Sequence, residues 1–379
     1  MTKGSPANMI HGTKSSVNTS VFRYNGNSIV DLLNRYSASV KINTIKERVS
    51  RRNFLQQSGL LLATFHLPSN RTIANTIMEN LKQYDVIILG GSYAGLAAAM
   101  SLGRALKHTL VIDSGKPCNR QTPYSHNFLG QDGKTPKEIA NLARQQVAAY
   151  PSVSFLDGIA TSGRETSKGF EITIGTGETF FAKKLIFSTG IIDEAAKIEG
   201  FEACWGISVL HCPYCHGYEV RNEKAGILGN GKNAYELAVL ISNWTDQLTL
   251  FTNGKHSFTA EQLLRLKKHK IGIQEKIMER LNHTAGQLDR VVFTDGTTDK
   301  VKAVYSRNSF FQQCQIPQIL GCEPTEEGYI KVDQNQETSI KGVYACGDCT
   351  TKVRTVANSV ASGTTVGMMV SKQLIIEEF

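Results

Sequence analysis

The sequence predicts an α/β fold, because a buried strand, a glycine-rich turn, a helix and a second strand follow one another twice along the chain. The first unit reads YDVIILGGSYAGLAAAMSLGRALKHTLVIDSG over residues 84–115, and the second reads KAGILGNGKNAYELAVLISNWTDQLTLFTNG over residues 224–254. A continuous apolar run such as Val86–Leu89 is typical of a parallel strand covered on both faces. The two units therefore predict two parallel sheets, each with covering helices.

The first glycine-rich turn has the features of a dinucleotide-binding fingerprint. A helix is predicted from about Ala94 to Leu106, and the next strand, Thr109–Ile112, ends in an acidic residue. The amino terminus of such a helix binds a pyrophosphate, and the acid binds ribose hydroxyls. Ser92 replaces the usual middle glycine, and its small side chain still lets a phosphate approach the backbone. We expect cofactor contacts at Gly90, Gly91, Ser92, Ala94, Gly95, Asp113 and Ser114.

The second glycine-rich turn repeats the same pattern. A strand predicted at Ala225–Leu228 leads into it, a helix follows to about Asn243, and a strand at Leu248–Phe251 closes the unit. Its small residues are Gly229, Gly231 and Ala234. This turn predicts a second nucleotide site of the NAD(P) type.

Between the two units lies HCPYCHGYE, residues 211–219, which contains Cys212-x-x-Cys215. One interpretation is a zinc site completed by Cys346 and Cys349, but the gap of about 130 residues is unlike that of a zinc ribbon or finger, so we predict no metal. The other interpretation is a redox dithiol. Pro213 favours a helix that begins there, and backbone N–H groups at a helix amino terminus stabilise a thiolate at Cys212.

Four further segments complete the pattern: SHNFLG (125–130), LIFSTGI (185–191), GVYACGDCT (342–350) and TVANSVASG (355–363). Taken in order with the two turns and the C-x-x-C, they resemble the thioredoxin reductase-like flavoproteins. These form the low-molecular-weight branch, class II, of the pyridine nucleotide-disulfide oxidoreductases. The resemblance covers about residues 83–379.

The resemblance implies two Rossmann-like nucleotide-binding domains with three-layer ββα architecture, the second inserted into the first. The FAD-binding domain would comprise 83–200 and 302–379, and the NAD(P)-binding-like domain would comprise 201–301. FAD is the implied cofactor, and NAD(P)H is a possible second one. Asp348 would bind the ribityl chain, and backbone N–H groups near Val356 would face the pyrimidine edge. The full set of implied FAD contacts in these segments is Asn127, Thr189, Gly190, Gly347, Asp348, Val356 and Ala357.

The resemblance also assigns the cysteines. Cys215 would lie against the flavin, and Cys212, nearer the surface, would exchange with the sulfur of a partner. His216 stands where thioredoxin reductases carry an acidic residue. An imidazole titrates near neutral pH, so we expect His216 to transfer protons to and from the thiols. The partner would be a thioredoxin-like protein or a small-molecule dithiol or disulfide, and the enzyme would be a homodimer.

The direction of electron flow stays open at this stage. The segment TNGKHSFTAEQ, residues 252–262, lacks the arginines that bind the 2′-phosphate of NADPH in the reductases, and the next arginine is Arg265. Together with His216, this departure is similar to the dithiol oxidases, which pass electrons to oxygen without NADPH. We favour a thioredoxin-disulfide reductase-like enzyme, with an oxygen-dependent dithiol oxidase and a redox-inactive FAD-binding scaffold as alternatives.

Charge and the amino-terminal segment bound the remaining possibilities. Residues 1–82 carry eleven Lys and Arg against three Asp and Glu, so they hold +8 of the net charge of +9. The nearly neutral remainder argues against nucleic-acid binding.

Residues 1–82 predict a basic, largely disordered leader. Arg51 and Arg52 precede a short apolar run within 48–75, which resembles a twin-arginine export signal. The run is too short for a permanent membrane span. The location would be exported or periplasmic if this signal acts, and otherwise cytoplasmic.

Overall fold

The computed structural model describes residues 82–379, and residues 1–81 lie outside the described part of the chain. The predicted leader and the export signal at Arg51 and Arg52 fall in that outer segment, so they stay predictions. Within residues 82–379, no helix is both long enough and apolar enough to cross a membrane.

The described chain contains seventeen strands and eight α-helices. The strands are β1 (Gln83–Leu89), β2 (Thr109–Asp113), β3 (Val153–Asp157), β4 (Ala160–Thr166), β5 (Gly169–Ile174), β6 (Thr179–Phe187), β7 (Ile191–Asp193), β8 (Val209–Leu210), β9 (Ala225–Leu228), β10 (Leu248–Phe251), β11 (Gly272–Gln274), β12 (Met278–Thr284), β13 (Gln287–Phe293), β14 (Thr298–Lys300), β15 (Ala303–Ser306), β16 (Phe310–Gln312) and β17 (Val343–Ala345). The helices are α1 (Tyr93–Arg104), α2 (Pro136–Ala148), α3 (Phe201–Cys204), α4 (Pro213–His216), α5 (Gly231–Ile241), α6 (Ala260–Lys268), α7 (Ile316–Ile319) and α8 (Val356–Glu378). The two predicted units are β1-α1-β2 and β9-α5-β10.

The first sheet has the strand order β3-β2-β1-β6-β5-β4, and β17 lies beside the carboxyl-terminal half of β6. Strands β3, β2, β1, β6 and β17 run parallel, whereas β4, β5 and β6 pair in antiparallel fashion. Ile87 and Leu89 pack into the core on one face of β1, and Val86 and Ile88 pack into the core on the other. Because both faces are covered, β1 reads as an unbroken apolar run.

The second sheet lies between β6 and β17 in the chain. Its order is β11-β10-β9-β15-β8, and all its strands run parallel. A small antiparallel sheet, β12-β13-β14, shares a core with it. The ladder between β7 and β16 joins the segments by which the chain leaves the first unit and returns to it. The predicted fold class, two Rossmann-like units with the second inserted into the first, is confirmed.

Helix α8 crosses α1 at a point that has no room for side chains. A Cβ atom at Gly363 would lie 2.1 Å from the carbonyl oxygen of Ala94, and one at Gly367 would lie 2.6 Å from the carbonyl oxygen of Ala98. The close approach brings the amino-terminal end of α8 next to the first glycine-rich turn. Residues from both helices can therefore share one binding site.

The carboxyl-terminal end of α8 is held by three lysines. Lys184 contacts Glu377 at 2.7 Å, and Glu378 pairs with both Lys107 at 2.7 Å and Lys183 at 2.8 Å. Acidic side chains are unfavourable at the negative end of a helix dipole. The lysines offset that effect, and they tie α8 to the first sheet.

Replacing Gly363 with alanine should lower the free energy of unfolding by about 1–3 kcal/mol, as overpacking of a tight contact typically does. The gain in helix propensity, about 1 kcal/mol, offsets only part of the strain. Thr364→Ala is the matched control, because Thr364 is the next residue and is exposed. The control should change stability by less than about 0.5 kcal/mol. Thermal unfolding of both variants measures the difference, and equal midpoints would contradict the tight crossing.

Candidate functional site

A cavity of about 900 Å³ opens where β1, β2 and β6 end. Parallel sheets bind ligands at this carboxyl edge. Many of the residues predicted from the sequence form its wall: Gly90, Gly91, Ser92, Ala94, Asp113, Ser114, Thr189, Gly190, Cys215, His216, Gly347, Asp348 and Val356. The wall thus joins side chains of the first unit to the C-x-x-C segment.

Three other predicted residues of the first unit do not line the cavity. Gly95 lies behind the turn, where a Cβ atom would come within 1.9 Å of the Gly90 carbonyl oxygen, so its role is to let α1 approach β1. Ala357 follows the lining residue Val356 in α8. Asn127 is exposed, with φ of 60°, and its neighbour His126 lines the cavity in its place.

The amino terminus of α1 is open toward the cavity. Its N-cap residue, Ser92, makes no side-chain capping hydrogen bond. The first backbone N–H groups of a helix have no partner within the helix, so an uncapped end is suited to an anion such as a pyrophosphate. Gly90, with φ of 102°, forms the turn that aims β1 into this end.

The corresponding end of α5 in the second unit is capped. The Asn230 side-chain oxygen accepts hydrogen bonds from the backbone N–H groups of Gly231 at 2.8 Å and Ser257 at 2.9 Å. The Asn230 amide donates to the Lys255 carbonyl oxygen at 2.9 Å. Gly229, Gly231 and Ala234 form this turn and do not line the 900 Å³ cavity.

The segment after β10 is also bound by the chain itself. The His256 backbone N–H donates to the Glu275 carboxylate at 2.8 Å, and the Gly254 N–H donates to the Glu275 carbonyl oxygen at 2.9 Å. A carboxylate therefore contacts the segment that lacks the arginines by which the reductases bind the 2′-phosphate of NADPH.

Sequence reasoning missed a buried ion pair in the cavity wall. The Arg354 guanidinium donates to both carboxylate oxygens of Asp193, at 2.7 and 2.6 Å. The two side chains are 11 % and 9 % exposed. Arg354 directly precedes the TVANSVASG segment, but its partner is 161 residues away in the chain. Nothing in the sequence indicated that the two would meet.

Asp348 lies beside this pair, with Oδ2 at 3.8 Å from Arg354 Nε. Its other oxygen accepts a hydrogen bond from Ser359 Oγ at 3.3 Å, and Cys118 Sγ lies 3.6 Å from Oδ2. Burial raises the pKa of Asp348, and the positive charge of Arg354 offsets part of that increase. The carboxylate is thus held in the cavity wall at a cost in free energy.

Cys212 and Cys215 both belong to the short helix α4 and its cap, with Cys215 inside the helix. Cys212 is its N-cap residue. The pKa of Cys212 is lowered, chiefly by a hydrogen bond from the Cys215 thiol and also by the backbone N–H groups of Cys215 and Tyr214, although burial opposes the shift. The pKa of Cys215 is raised by the same thiol contact and by burial. Cys212 therefore loses its proton before Cys215.

The two cysteines also differ in exposure. Cys215 lines the cavity, whereas Cys212 is 9 % exposed and does not line it. Because Cys215 faces the cavity that FAD would fill, this difference does not test the implied position of Cys212 nearer the surface, which stays a prediction.

Two histidines flank the dithiol. Burial lowers the pKa of His216, although the Glu219 carboxylate acts in the opposite direction. Burial and the charge of Arg354 lower the pKa of His211 to about 3. Both imidazoles are therefore neutral near pH 7, and a neutral imidazole can accept a proton.

The second C-x-x-C pair is part of the core. Cys346 and Cys349 are fully buried, and they pack into the cores on opposite faces of the first sheet. The Cys349 thiol donates to the Cys346 carbonyl oxygen at 3.2 Å. Within residues 82–379, no group of three or more His, Cys, Asp or Glu residues is arranged to hold a metal ion.

The cavity wall contains polar atoms that a bound flavin dinucleotide would pair with. Thr189 Oγ1 and Asn119 Oδ1 are buried, and neither has a hydrogen-bond partner within the described chain. Both residues line the cavity. Buried polar atoms are almost always paired in native proteins, so these two are suited to a bound polar ligand. The open end of α1 adds a site for the pyrophosphate.

Two Rossmann-like units and a cavity that reaches a C-x-x-C dithiol define a nucleotide-dependent oxidoreductase. Comparisons with known proteins agree. The family model described as pyridine nucleotide-disulphide oxidoreductase matches residues 84–363. "Thioredoxin reductase tcpT" of Claviceps purpurea is 32 % identical over 304 residues, which cover 77 % of this chain and 95 % of that protein.

Solved structures are similar as well. The oxidoreductase from Agrobacterium tumefaciens is 34 % identical with a TM-score of 0.73, over 78 % of this chain and 99 % of that one. The putative thioredoxin reductase TrxB from Bacillus anthracis is 27 % identical with a TM-score of 0.75, over 78 % of this chain and all of that one. This chain belongs to the pyridine nucleotide-disulphide oxidoreductase family. It is a thioredoxin reductase-like enzyme, of a group whose members bind FAD.

Asp348→Asn should stabilise the flavin-depleted protein at neutral pH while weakening its affinity for FAD. The folded state raises the pKa of Asp348. The folded protein therefore binds a proton at Asp348 more tightly than the unfolded protein does. This tighter binding stabilises the folded state at low pH, and the stabilisation is lost as the pH rises above about 3.9, the ordinary pKa of an aspartate. Because asparagine carries no titrating proton, the variant should not lose stability over this pH range. Melting temperatures from pH 4 to pH 7 measure it, and FAD titration measures the affinity. A lower melting temperature for the variant at pH 7 would contradict the assignment.

Proposed function

We propose that this enzyme transfers electron pairs between bound FAD and an external thiol or disulfide through Cys212 and Cys215. One observation carries the proposal: Cys215 lines the same cavity as Thr189 and Asp348, and Cys212 is the N-cap residue of the helix that contains Cys215. FAD supplies the two-electron chemistry that interconverts a dithiol and a disulfide. The chain's own residues then hold the cofactor, exchange sulfur bonds and move protons.

In this proposal Cys212 is the nucleophile. Its lowered pKa favours the thiolate, which attacks one sulfur of the partner's disulfide and releases the other sulfur as a thiolate. Cys215 then attacks Cys212, which closes the disulfide between 212 and 215 and releases the partner fully reduced. In the opposite direction the same steps oxidise a dithiol partner. His216 accepts or returns a thiol proton, and its neutral form near pH 7 suits that role.

The proposed FAD contacts follow the cavity wall. The backbone at Gly91 and Ser92 would hold the pyrophosphate at the open end of α1, and Asp113 would bind ribose hydroxyls. Asp348 would bind the ribityl chain. Val356, at the amino terminus of α8, would face the pyrimidine edge.

The domain division also stays a proposal. The FAD-binding domain comprises 83–200 and the chain after the insertion. The inserted domain would end at about 306, and not at 301 as the resemblance implied, because β15 pairs with β9 of the second sheet.

A thioredoxin-disulfide reductase-like reaction is the first candidate for the direction of electron flow. Relatives at 32 % and 29 % identity over most of their length carry the name thioredoxin reductase, which supports this direction. NAD(P)H would donate the electrons at the second unit, and a thioredoxin-like protein would accept them. The homodimer implied by the resemblance stays a prediction.

A dithiol oxidase that needs no NADPH is the second candidate, and a specific observation favours it. Asn230 caps the turn that would hold the pyrophosphate, and Glu275 accepts the backbone N–H of His256. A nicotinamide nucleotide would have to displace both contacts. Electrons from a substrate dithiol would then pass through FAD to oxygen. A redox-inactive FAD-binding scaffold, the third reading, requires the dithiol to be idle.

An anaerobic stopped-flow experiment tests the dithiol. In wild-type protein, dithiothreitol should bleach the flavin absorbance, and Cys212→Ser should slow the bleaching by at least about 100-fold because the exchange step is lost. Cys346→Ser is the matched control, since Cys346 lies in the core. Its rate per bound flavin should stay unchanged. Full activity of Cys212→Ser would support the scaffold and sink the proposal.

A second experiment tests the nicotinamide site. Two unit charges about 4 Å apart in water interact by about 1 kcal/mol, so removing the Glu275 charge should improve the apparent Kd for NADPH about fivefold. Glu275→Gln makes that change, and NADH, which lacks the 2′-phosphate, should gain less. Glu261→Gln, on exposed α6, is the control. If wild-type flavin is bleached as fast by NADPH as by dithiothreitol, the oxidase candidate is wrong.

A further inference from the structure

A contact between the two units joins a second histidine to the dithiol region. His126 lies in the segment between β2 and α2 of the first unit, and Glu219 follows α4 in the second. His126 Nε2 is 3.5 Å from Glu219 Oε1, and its other ring nitrogen is 3.6 Å from Asp132 Oδ2. The His126 imidazole is thus held between two carboxylates, one from each unit.

His126 and His216 line the same cavity as Cys215. Glu219 acts on both of them. It lies within ion-pair distance of His126, and its charge raises the pKa of His216, whereas the charge of His126 lowers it. Three titratable groups interact with His216. Glu219 and His126 act on its pKa, and His216 in turn acts on the pKa of His211.

The dithiol chemistry needs a route for protons between the thiols and solvent. Oxidation of the Cys212 and Cys215 thiols to a disulfide releases two electrons and two protons. A bound FAD would accept the electrons and one proton, so the second proton has to leave through acid–base groups of the chain. Reduction of the disulfide needs the same protons in return.

We propose that His126 is the second acid–base group of this site, coupled to His216 through Glu219, so that a thiol proton accepted by His216 passes to solvent by way of His126. The inference rests on the proposed function and adds residues to it. Glu219 acts as a positioning residue, because its carboxylate lies beside His126 and stabilises the imidazolium of either histidine. Asp132 is 65 % exposed and connects His126 to solvent.

The first test is the rate of flavin bleaching by dithiothreitol over a range of pH. His126→Gln should slow this step by about 100-fold, the lower end of what a positioned acid–base group contributes. Its pH profile should lose one ionisation relative to wild type. In His126→Ala, added imidazole should restore part of the rate. His108→Gln is the matched control, because His108 lies at the opposite edge of the sheet, stacked on Tyr84, and it should leave the rate and the pH profile unchanged.

The second test measures the electrostatic coupling among the three side chains. The pKa of His216, measured by NMR of its ring carbons in the holoenzyme, should fall in Glu219→Gln and rise in His126→Gln. These shifts establish the coupling, and the rescue by imidazole separates proton transfer from a structural contact. If both variants leave the His216 pKa and the pH profile unchanged, while Cys212→Ser abolishes bleaching, this inference is wrong and the proposed function stands. If Cys212→Ser bleaches at the full rate, both are wrong.

Discussion

One buried cation, Arg354, sets the charge balance of the cavity. Its guanidinium forms two hydrogen bonds with Asp193 and lies next to Asp348. An arginine stays charged at every accessible pH, so its effect on its neighbours is constant. Its charge lowers the pKa of Asp348, Cys212 and His211. For Asp348 and Cys212 this opposes burial, which raises the pKa. For His211 both the charge and burial lower the pKa. Asp193 compensates the charge. Without that bidentate partner, an arginine this deeply buried would cost several kcal/mol.

The two Rossmann-like turns show how one sequence pattern leads to two different sites. Both place a helix amino terminus after a parallel strand. In the first turn, the N-cap Ser92 leaves the backbone N–H groups of α1 free for an anion. In the second, the Asn230 side chain satisfies the same kind of group on α5, and hydrogen bonds to Ser257 and Lys255 tie the turn to the next segment. The difference depends on the N-cap side chain: Asn230 accepts a hydrogen bond from a backbone N–H group of its helix, and Ser92 accepts none. In the oxidase candidate, the second unit would serve only as a scaffold for the dithiol.

The dithiol lies where the two units meet, and this location shapes its chemistry. Burial would raise the pKa of both thiols, but the contact between them and the amino end of α4 makes the pair asymmetric, with Cys212 as the stronger acid. Histidines from both units line the same cavity. Any change in how the units pack would therefore alter proton transfer as well as sulfur exchange. The tight crossing of α1 and α8 at Gly363 keeps the FAD side of this arrangement in place.

The sequence by itself determined the fold and many of the residues that line the cavity. Buried parallel strands read as apolar runs, and glycine-rich turns have a fixed spacing, so both units could be predicted with strands Ala225–Leu228 and Leu248–Phe251 at their observed bounds. Most predicted FAD contacts also line the cavity, because they follow strand ends that meet at one edge. The tertiary structure alone decided the pairing of Arg354 with Asp193, the capping by Asn230, the position of His126 in place of Asn127, and the burial of Cys212. The ion pair of Arg354 and the contacts of Asn230 with Ser257 and Lys255 join residues that are far apart in the chain. No local pattern records which distant side chains will come into contact.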